Sequence, residues 1–499
     1  MNYFNKGTVG LVLIFWSLLL GMHAVGNSDL FWQLKTGQII LENHQVPQTD
    51  SFSFTVPGKE WINLEWLACV LFWKVFQWGH FLGLSILSAL SVFVLALTLY
   101  KLFYKIYDQK WLGLFLVCLV LYLSGNRLQL LRPELYSFIF FSIFIFELWV
   151  DASFTFKKLI LLALIQVLWV NTHSSFLLGI GLTGLALMER FVRKDWKAVQ
   201  FFSVVVLVLA GSSLLNPYGL QAFFYPFKHM AAPVTMARVS DWVPLLSAGH
   251  FSYLTIWLFL GLCLIAGIGL LFSYRDVPKN LGLILASLYF SFLAFKHQRF
   301  VFYAVVVMFV LLGSLSSLKW VREKAGEFFL RVKFLLLGIL VVIPLLWARN
   351  GWIQGARYNA EQGRLDFILG RSLSVGFDHS AFSWAGGNYL FAYPPKGAVY
   401  NSMDLGGYLI FRLWPRNKVF VDTRTPVYGE EFLHQVMGVA NKPDELTKLW
   451  ENLGVKTLVL SKAHLGQNKP LADYLQSQED WEVGYDDSLM GVWVKKEIW

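Results

Sequence analysis

Residues 7–37, "GTVGLVLIFWSLLLGMHAVGNSDLFWQLKTG", decide how the chain is to be read. A mainly apolar run preceded by Lys6 ends at Gly26, and a carboxylate, Asp29, follows at once, ahead of Leu30, Phe31 and Trp32. Such a run is either a signal peptide cut near Ala24-Val25-Gly26 or an uncleaved first membrane helix. The many apolar segments further on suit the uncleaved helix. Asp29 then lies where a membrane helix meets water, with aromatic residues of the kind that settle at that interface.

The composition agrees. Of 499 residues 56% are hydrophobic, 15% charged and 17% aromatic, which lies outside the range of ordinary soluble domains. The net charge of +10 is spread between the apolar segments, so it reads as an orientation signal and excludes a nucleic-acid partner. Cys69, Cys118 and Cys263 lie in or beside apolar runs without metal-ligand spacing, and read as packing residues.

Further spans are expected at about 80–104, 111–124, 135–150, 159–171, 174–190, 198–215, 251–272, 280–296, 299–318 and 333–348. Cations cluster in alternate loops: Lys101, Lys105 and Lys110; Lys157 and Lys158; Arg190, Arg193, Lys194 and Lys197; Arg275 and Lys279; Lys319 through Lys333. These loops face the cytoplasm, and the cation-poor loops 27–65, 124–134, 171–174 and 216–250 lie outside. The alternation holds if "NLEWLACVLFWKVFQW", 63–78, lies in the outer interface rather than crossing, which gives about eleven spans and a cytoplasmic N-terminus. Residues 28–42 read as a second interfacial helix, and "SFSFTV" between them as a strand.

From about 349 the chain turns polar and mixed. "GAVYNS", "NKVFVDTR", "VKTLVLS" and "LMGVWVKK" read as strands, and "DLGGYLIFRL", "DELTKLWENLG" and "PLADYLQSQ" as helices. The expected architecture is a polytopic α-helical membrane region, 1–348, with a structured first outer loop at 27–79. An extracytoplasmic α/β domain with a largely parallel sheet follows at 349–499.

The outer face carries the acids Asp29, Asp50 and Glu65, with Arg127 and Arg132 in "SGNRLQLLRPELYS", His173 in "NTHSS", Arg238 and Asp241 in "MARVSDW", and Arg299 in "FKHQRF". A single arginine there is explained by snorkelling to lipid headgroups. Several together with acids point to an anionic, lipid-linked ligand, because a guanidinium fork matches phosphate oxygens. Asp29 or Ser28 also makes a good helix cap, and the two roles are compatible. Asp50 in "PQTDS" reads first as a turn residue. Asp422 and Arg424 of "FVDTR" fall at an expected strand end, where α/β sheets place ligand contacts, and read equally as acceptor-binding residues or as a structural ion pair.

The patterns "SDLFWQLKTGQIILENHQVPQTDSFSFT", "WINLEWL", "LRPELYSF", "NTHSSFLLG" and "YNSMDLGGYLIFRLWPRNKVFVDTRTPVYG" resemble a prokaryotic branch of the type C (GT-C) membrane glycosyltransferases. The resemblance implies transfer of a sugar from a polyprenyl-phosphate or polyprenyl-diphosphate donor to an envelope lipid, glycan or protein, usually with inversion. It places a key first-loop acid just after the first helix, which suits Asp29 as base, and Glu65 and Asp50 of the same loop are read as further acid candidates. Independently of the family, a leaving phosphate needs cations, for which Arg127, Arg132 and Arg299 are suited and His173 less so, while Asp422 and Arg424 are candidates to meet the acceptor. Many such enzymes carry paired acids after the first helix, whereas here Asn27, Ser28 and Leu30 surround a lone Asp29. One carboxylate is a poor divalent-cation site, so no obligatory metal is expected and a divalent cation is optional. The competing readings are a non-enzymatic lipid or solute transporter, since charges on one side of a helix bundle also mark transport paths, and a scaffold for polysaccharide assembly.

Overall fold

The computed structural model describes residues 2–151, 153–230, 244–246, 253–315, 318–351, 353–359, 364–369, 376–439 and 442–496. Arg238 and Asp241 lie outside them. By their contacts the described residues form two compact units. One comprises those of Met1–His23, Ser85–Phe223 and Val239–Ser374, the other those of Ala24–Leu84, Phe224–Arg238 and Val375–Trp499. The first outer loop thus groups with the C-terminal region. The sequence division at 348/349 assigned it to the membrane helices.

The first unit is helical. It contains α1 (Asn2–Gly21), the second half of α3 (Trp66–Tyr107), α4 (Lys110–Leu123), α5 (Glu134–Ile145), α6 (Phe156–Val170), α7 (Leu177–Val192) and α8 (Trp196–Ser212). Further on come α9 (Tyr253–Phe272), α10 (Leu281–Lys296), α11 (Val301–Ser314), α12 (Lys319–Arg331) and α13 (Lys333–Gly351). An antiparallel hairpin of β2 (Ile353–Asn359) and β3 (Arg364–Leu369) ends it. Each expected span has a helix. Every residue of α11 from Val301 to Gly313 is buried. A helix apolar on all sides is stable only where all sides are covered, which makes α11 the core of this unit. On α9, by contrast, Trp257, Leu264, Ile265 and Leu271 are exposed, as a lipid-facing surface requires.

Among the described residues, three helical stretches are long and apolar enough to cross a membrane: Trp66–Tyr107, Ser174–Val192 and Leu254–Phe272. The pair Gln298–Ser314 and Lys319–Arg331, bent by 108°, makes a fourth if read as one broken span. Shorter apolar helices, among them Gly7–Gly21, Lys110–Leu123, Trp196–Ser212 and Leu281–Lys296, fall on other expected spans.

The second unit is built around α2 (Ser28–Asn43). Just before it β1 (Ala24–Val25) pairs in parallel with β4 (Gly376–Phe377). Two glycines set how closely its neighbours approach. A Cβ on Gly37 of α2 would lie 2.1 Å from the Cys69 carbonyl of α3, and one on Gly407 would lie 2.0 Å from the Ser28 carbonyl. Phe31 is fully buried among Phe81, Phe377, Phe382, Tyr408 and Phe411, with ring centroids 4.8–6.3 Å away. The segment 63–78 does begin a helix, but α3 continues through it to Tyr107 with a single non-helical residue, His80 (φ 49°, ψ −145°), at the "GH" step. A positive φ at a non-glycine residue breaks the helix there.

The C-terminal sheet runs β5 (Ala398–Asn401), β6 (Val455–Ser461), β8 (Met490–Lys495), β7 (Trp481–Asp486). Only β5 and β6 are parallel, and the other two pairs are antiparallel. This corrects the largely parallel sheet expected. The strand missed, β7, does alternate Trp481, Val483 and Tyr485 with Glu482, Gly484 and Asp486, but it is short, largely exposed and at the sheet edge, so no continuous apolar run marks it. Helices α14 (Trp384–Ala392), α15 (Met403–Leu413), α16 (Pro443–Asn452) and α17 (Lys469–Ser477) are among those that pack in the unit. "NKVFVDTR" and "SFSFTV" are not strands. They meet through isolated bridges, with Ser53 parallel to Val419, and Thr55 Oγ1 donates to the Phe420 carbonyl at 2.7 Å.

Candidate active site

The second unit holds the acids. The α2 cap is Asn27, not Ser28 or Asp29: its extended backbone (φ −101°, ψ 148°) lets Oδ1 accept from Leu30 N at 2.8 Å. Asp29 therefore falls in the first turn, where the unpaired amides of a helix start favour a carboxylate. It is half-buried, and Trp32 Nε1 donates to its Oδ1 over a long 3.4 Å. Gln33, one turn on from Asp29 and on the same face, donates to Glu65 Oε2 at 2.9 Å. Asp29, Gln33 and Glu65 thus share one side of α2. The Gln33 carbonyl oxygen is buried there without a protein donor.

Asp50 has a different place. Its side chain is fully buried and accepts from Ser53 N (3.0 Å), Ser53 Oγ (2.6 Å) and Phe52 N (3.4 Å). Arg424 Nη2 lies 2.7 Å from Asp50 Oδ1. The same guanidinium donates to both oxygens of Asp422, at 2.9 and 2.7 Å, and Tyr428 Oη donates to Asp422 Oδ2 at 2.7 Å. Burial, and then Asp422, push the Tyr428 phenol well above its usual range, so it keeps its proton and remains a donor. The guanidinium carbon lies 4.8 Å from the Phe52 ring centroid and 4.5 Å from that of Trp61. With Asp50 and Asp422 sealed and Arg424 only 2% exposed, these three residues form an internal clasp between the first loop and the segment before Thr425. Asp422 and Arg424 thus form the structural pair that the sequence left open beside acceptor recognition, and Asp50 is a partner of that pair and not an open acid. Sequence spacing could not join Asp50 to residues so far away.

The first unit holds cations. Arg127 and Arg299 converge on Glu134: Arg127 Nε lies 3.0 Å from Oε2, its Nη2 contacts the same oxygen, and Arg299 Nη2 lies 3.1 Å from Oε1. Glu134 is buried, and the guanidinium side chains keep 10% and 19% of their exposure. His173 is buried nearby, where its Nδ1 accepts from Ser175 N at 3.3 Å and meets the hydroxyls of Ser137 (3.0 Å) and Ser175 (2.8 Å). Burial lowers its pKa, the opposing pull of Glu134 falls short, and Arg299 and Arg127 lower it further. His173 is therefore neutral at pH 7, with its proton on Nε2. Arg132 is half-buried two residues before Glu134. Arg127, Arg299 and His173 are thus brought to one place around Glu134, a residue that sequence reasoning passed over. An acid directly after "RP" and opening an apolar helix was the signal that it needs cationic partners. Among the described residues no group of three or more His, Cys, Asp or Glu side chains is arranged to hold a metal ion.

No protein-family model matches the chain, and no curated protein does. Solved structures do. The archaeal oligosaccharyltransferase AglB from Archaeoglobus fulgidus, in complex with an inhibitory peptide and a dolichol-phosphate, aligns over 100% of this chain and 75% of its own. Its TM-score is 0.58 at 13% identity. Apo ArnT from Cupriavidus metallidurans aligns over 99% of this chain and 98% of its own, with TM-score 0.50 and 12% identity. Both are GT-C type membrane proteins, and the likeness at this identity is one of fold.

Proposed function

We propose that this chain of GT-C fold is an integral membrane glycosyltransferase that moves a sugar from a polyprenyl-phosphate or polyprenyl-diphosphate carrier to an envelope acceptor at the outer face of the membrane. The observation that carries the reading is the convergence of Arg127 and Arg299 on Glu134 beside neutral His173, on a fold whose neighbour AglB is held with a dolichol-phosphate. Fold alone does not assign a reaction. Two guanidinium groups fixed by a buried carboxylate add the chemistry of an anion site.

In the reaction the acceptor oxygen forms a bond to the sugar's anomeric carbon, and the bond from that carbon to the carrier phosphate breaks. The electron pair leaves on the phosphate, where Arg127 and Arg299 stabilise it and the His173 Nε2–H is a neutral donor. Asp29 takes the acceptor's proton, with Glu65 as the neighbouring acid. The reading includes about eleven spans, a cytoplasmic N-terminus and an extracytoplasmic C-terminal region.

The test is turnover in proteoliposomes supplied with a panel of polyprenyl-phosphate-linked sugars and envelope acceptors, read as release of the polyprenyl phosphate. Release that depends on acceptor supports transfer. Uptake or flipping of the carrier without bond cleavage would make the chain a transporter.

A further inference from the structure

The clasp at Arg424 does not end with its carboxylates. Its guanidinium lies on Trp61 (4.5 Å to the centroid), and Trp61 meets Trp32 edge to face at 5.9 Å and 72°. Trp32 in turn donates its indole N–H to Asp29 Oδ1. Trp61 and Trp32 are both buried, so neither ring swings freely. Gly407 lies against both the Ser28 carbonyl, one residue before Asp29, and the Trp32 ring. The carboxylate proposed as base is therefore held by a chain of packed planar groups whose far end is anchored in the C-terminal region.

We propose that Arg424, Trp61 and Trp32 form a positioning relay. The Asp50–Arg424–Asp422 clasp locks Trp61, Trp61 locks the Trp32 ring, and the Trp32 indole aims the Asp29 carboxylate. The inference deepens the proposed function and rests on it for the role of Asp29, while the relay itself is a statement about packing. It gives the C-terminal region a definite task in the reaction, which is to hold the base in register. Catalytic groups misplaced by even about 1 Å lose up to about a hundredfold in rate, so a relay of this kind controls turnover more than binding.

The experiment uses the purified full chain in detergent with ¹⁵N-labelled tryptophan, the Trp32 indole signal being assigned by Trp32→Phe. The relay predicts that Asp29→Asn, which replaces the acceptor carboxylate, shifts this signal. It also predicts that Arg424→Lys shifts the signal, because lysine keeps the charge but not the planar stack. Trp61→Phe, the milder variant, shifts it too, and serves alone if Arg424→Lys does not accumulate. In the turnover assay both variants lose about tenfold in kcat while donor KM changes less than about twofold, and the double variant loses no more than the worse single one. A Trp32 signal unmoved in both variants overturns the relay. So does wild-type kcat in both variants while Asp29→Asn is inactive. Full turnover by Asp29→Asn with a shifted Trp32 signal instead removes the proposed base and leaves the relay standing.

Discussion

At the scale of single residues, the structure separates charged groups that the sequence presented alike. Asp29 and Asp50 are both acids of the first outer loop. Asp29 stays half-buried at the start of α2, whereas Asp50 is sealed against Arg424. Asp50→Asn should therefore act through stability, leaving Arg424 short of a partner. We expect about 3 kcal/mol of destabilisation, read as a lower thermal midpoint in detergent. Arg299→Ala should weaken binding of undecaprenyl phosphate about tenfold at low salt with little change in thermal midpoint, because Arg127 still pairs Glu134. Equal affinity would remove Arg299 from the phosphate role. His173 gives a pH dependence. Its folded pKa lies below the usual imidazole value, so an unfolded chain binds its proton first as pH falls. The stability it contributes is present above about pH 6.5 and is lost progressively below it. His173→Asn should flatten that acid loss in a thermal-shift series from pH 7 to 5. The presence of these candidates was legible in the sequence, but which of them meet was not, since Arg127 and Arg299 are joined through Glu134 by a fold and not by spacing.

At the scale of elements, boundaries were readable wherever local chemistry sets them. The helix at 28–42 is there as α2, though its cap is Asn27, one residue earlier than expected. Asn27→Ala should lower stability by about 1 kcal/mol, with the midpoint of unfolding as the measure. The strands "VKTLVLS" and "LMGVWVKK" are present because their apolar character continues through the buried sheet. "NKVFVDTR" and "SFSFTV" carry the same β-branched and aromatic signal but spend it on a buried loop contact, where Val419 and Phe54 pair across the clasp. Propensity cannot tell a strand from a loop that is equally buried. Gly407 shows what packing decides instead. With the Ser28 carbonyl 2.0 Å from an added Cβ, Gly407→Ala must push α15 off α2, and a loss of about 1–3 kcal/mol is expected in the same assay.

At the scale of the whole molecule, hydrophobic segmentation gave the helix positions, because apolar length is a local property. The grouping of Ala24–Leu84 with Val375–Trp499 was not legible, since it depends on contacts between segments separated by the membrane helices. The orientation drawn from loop cations is open to direct measurement. With an impermeant maleimide, a cysteine at exposed Gln476 should label in intact cells, and one at exposed Lys194 only after permeabilisation. The reverse pattern would invert the topology. The proposed function rests on one step, in which the half-buried carboxylate at the start of α2 would take a proton from the acceptor. The most direct test compares Asp29→Asn with wild type for acceptor-dependent release of polyprenyl phosphate in proteoliposomes, at matched protein level and thermal midpoint. The account predicts a loss of at least about a hundredfold in kcat with donor affinity retained. Turnover equal to wild type would contradict it.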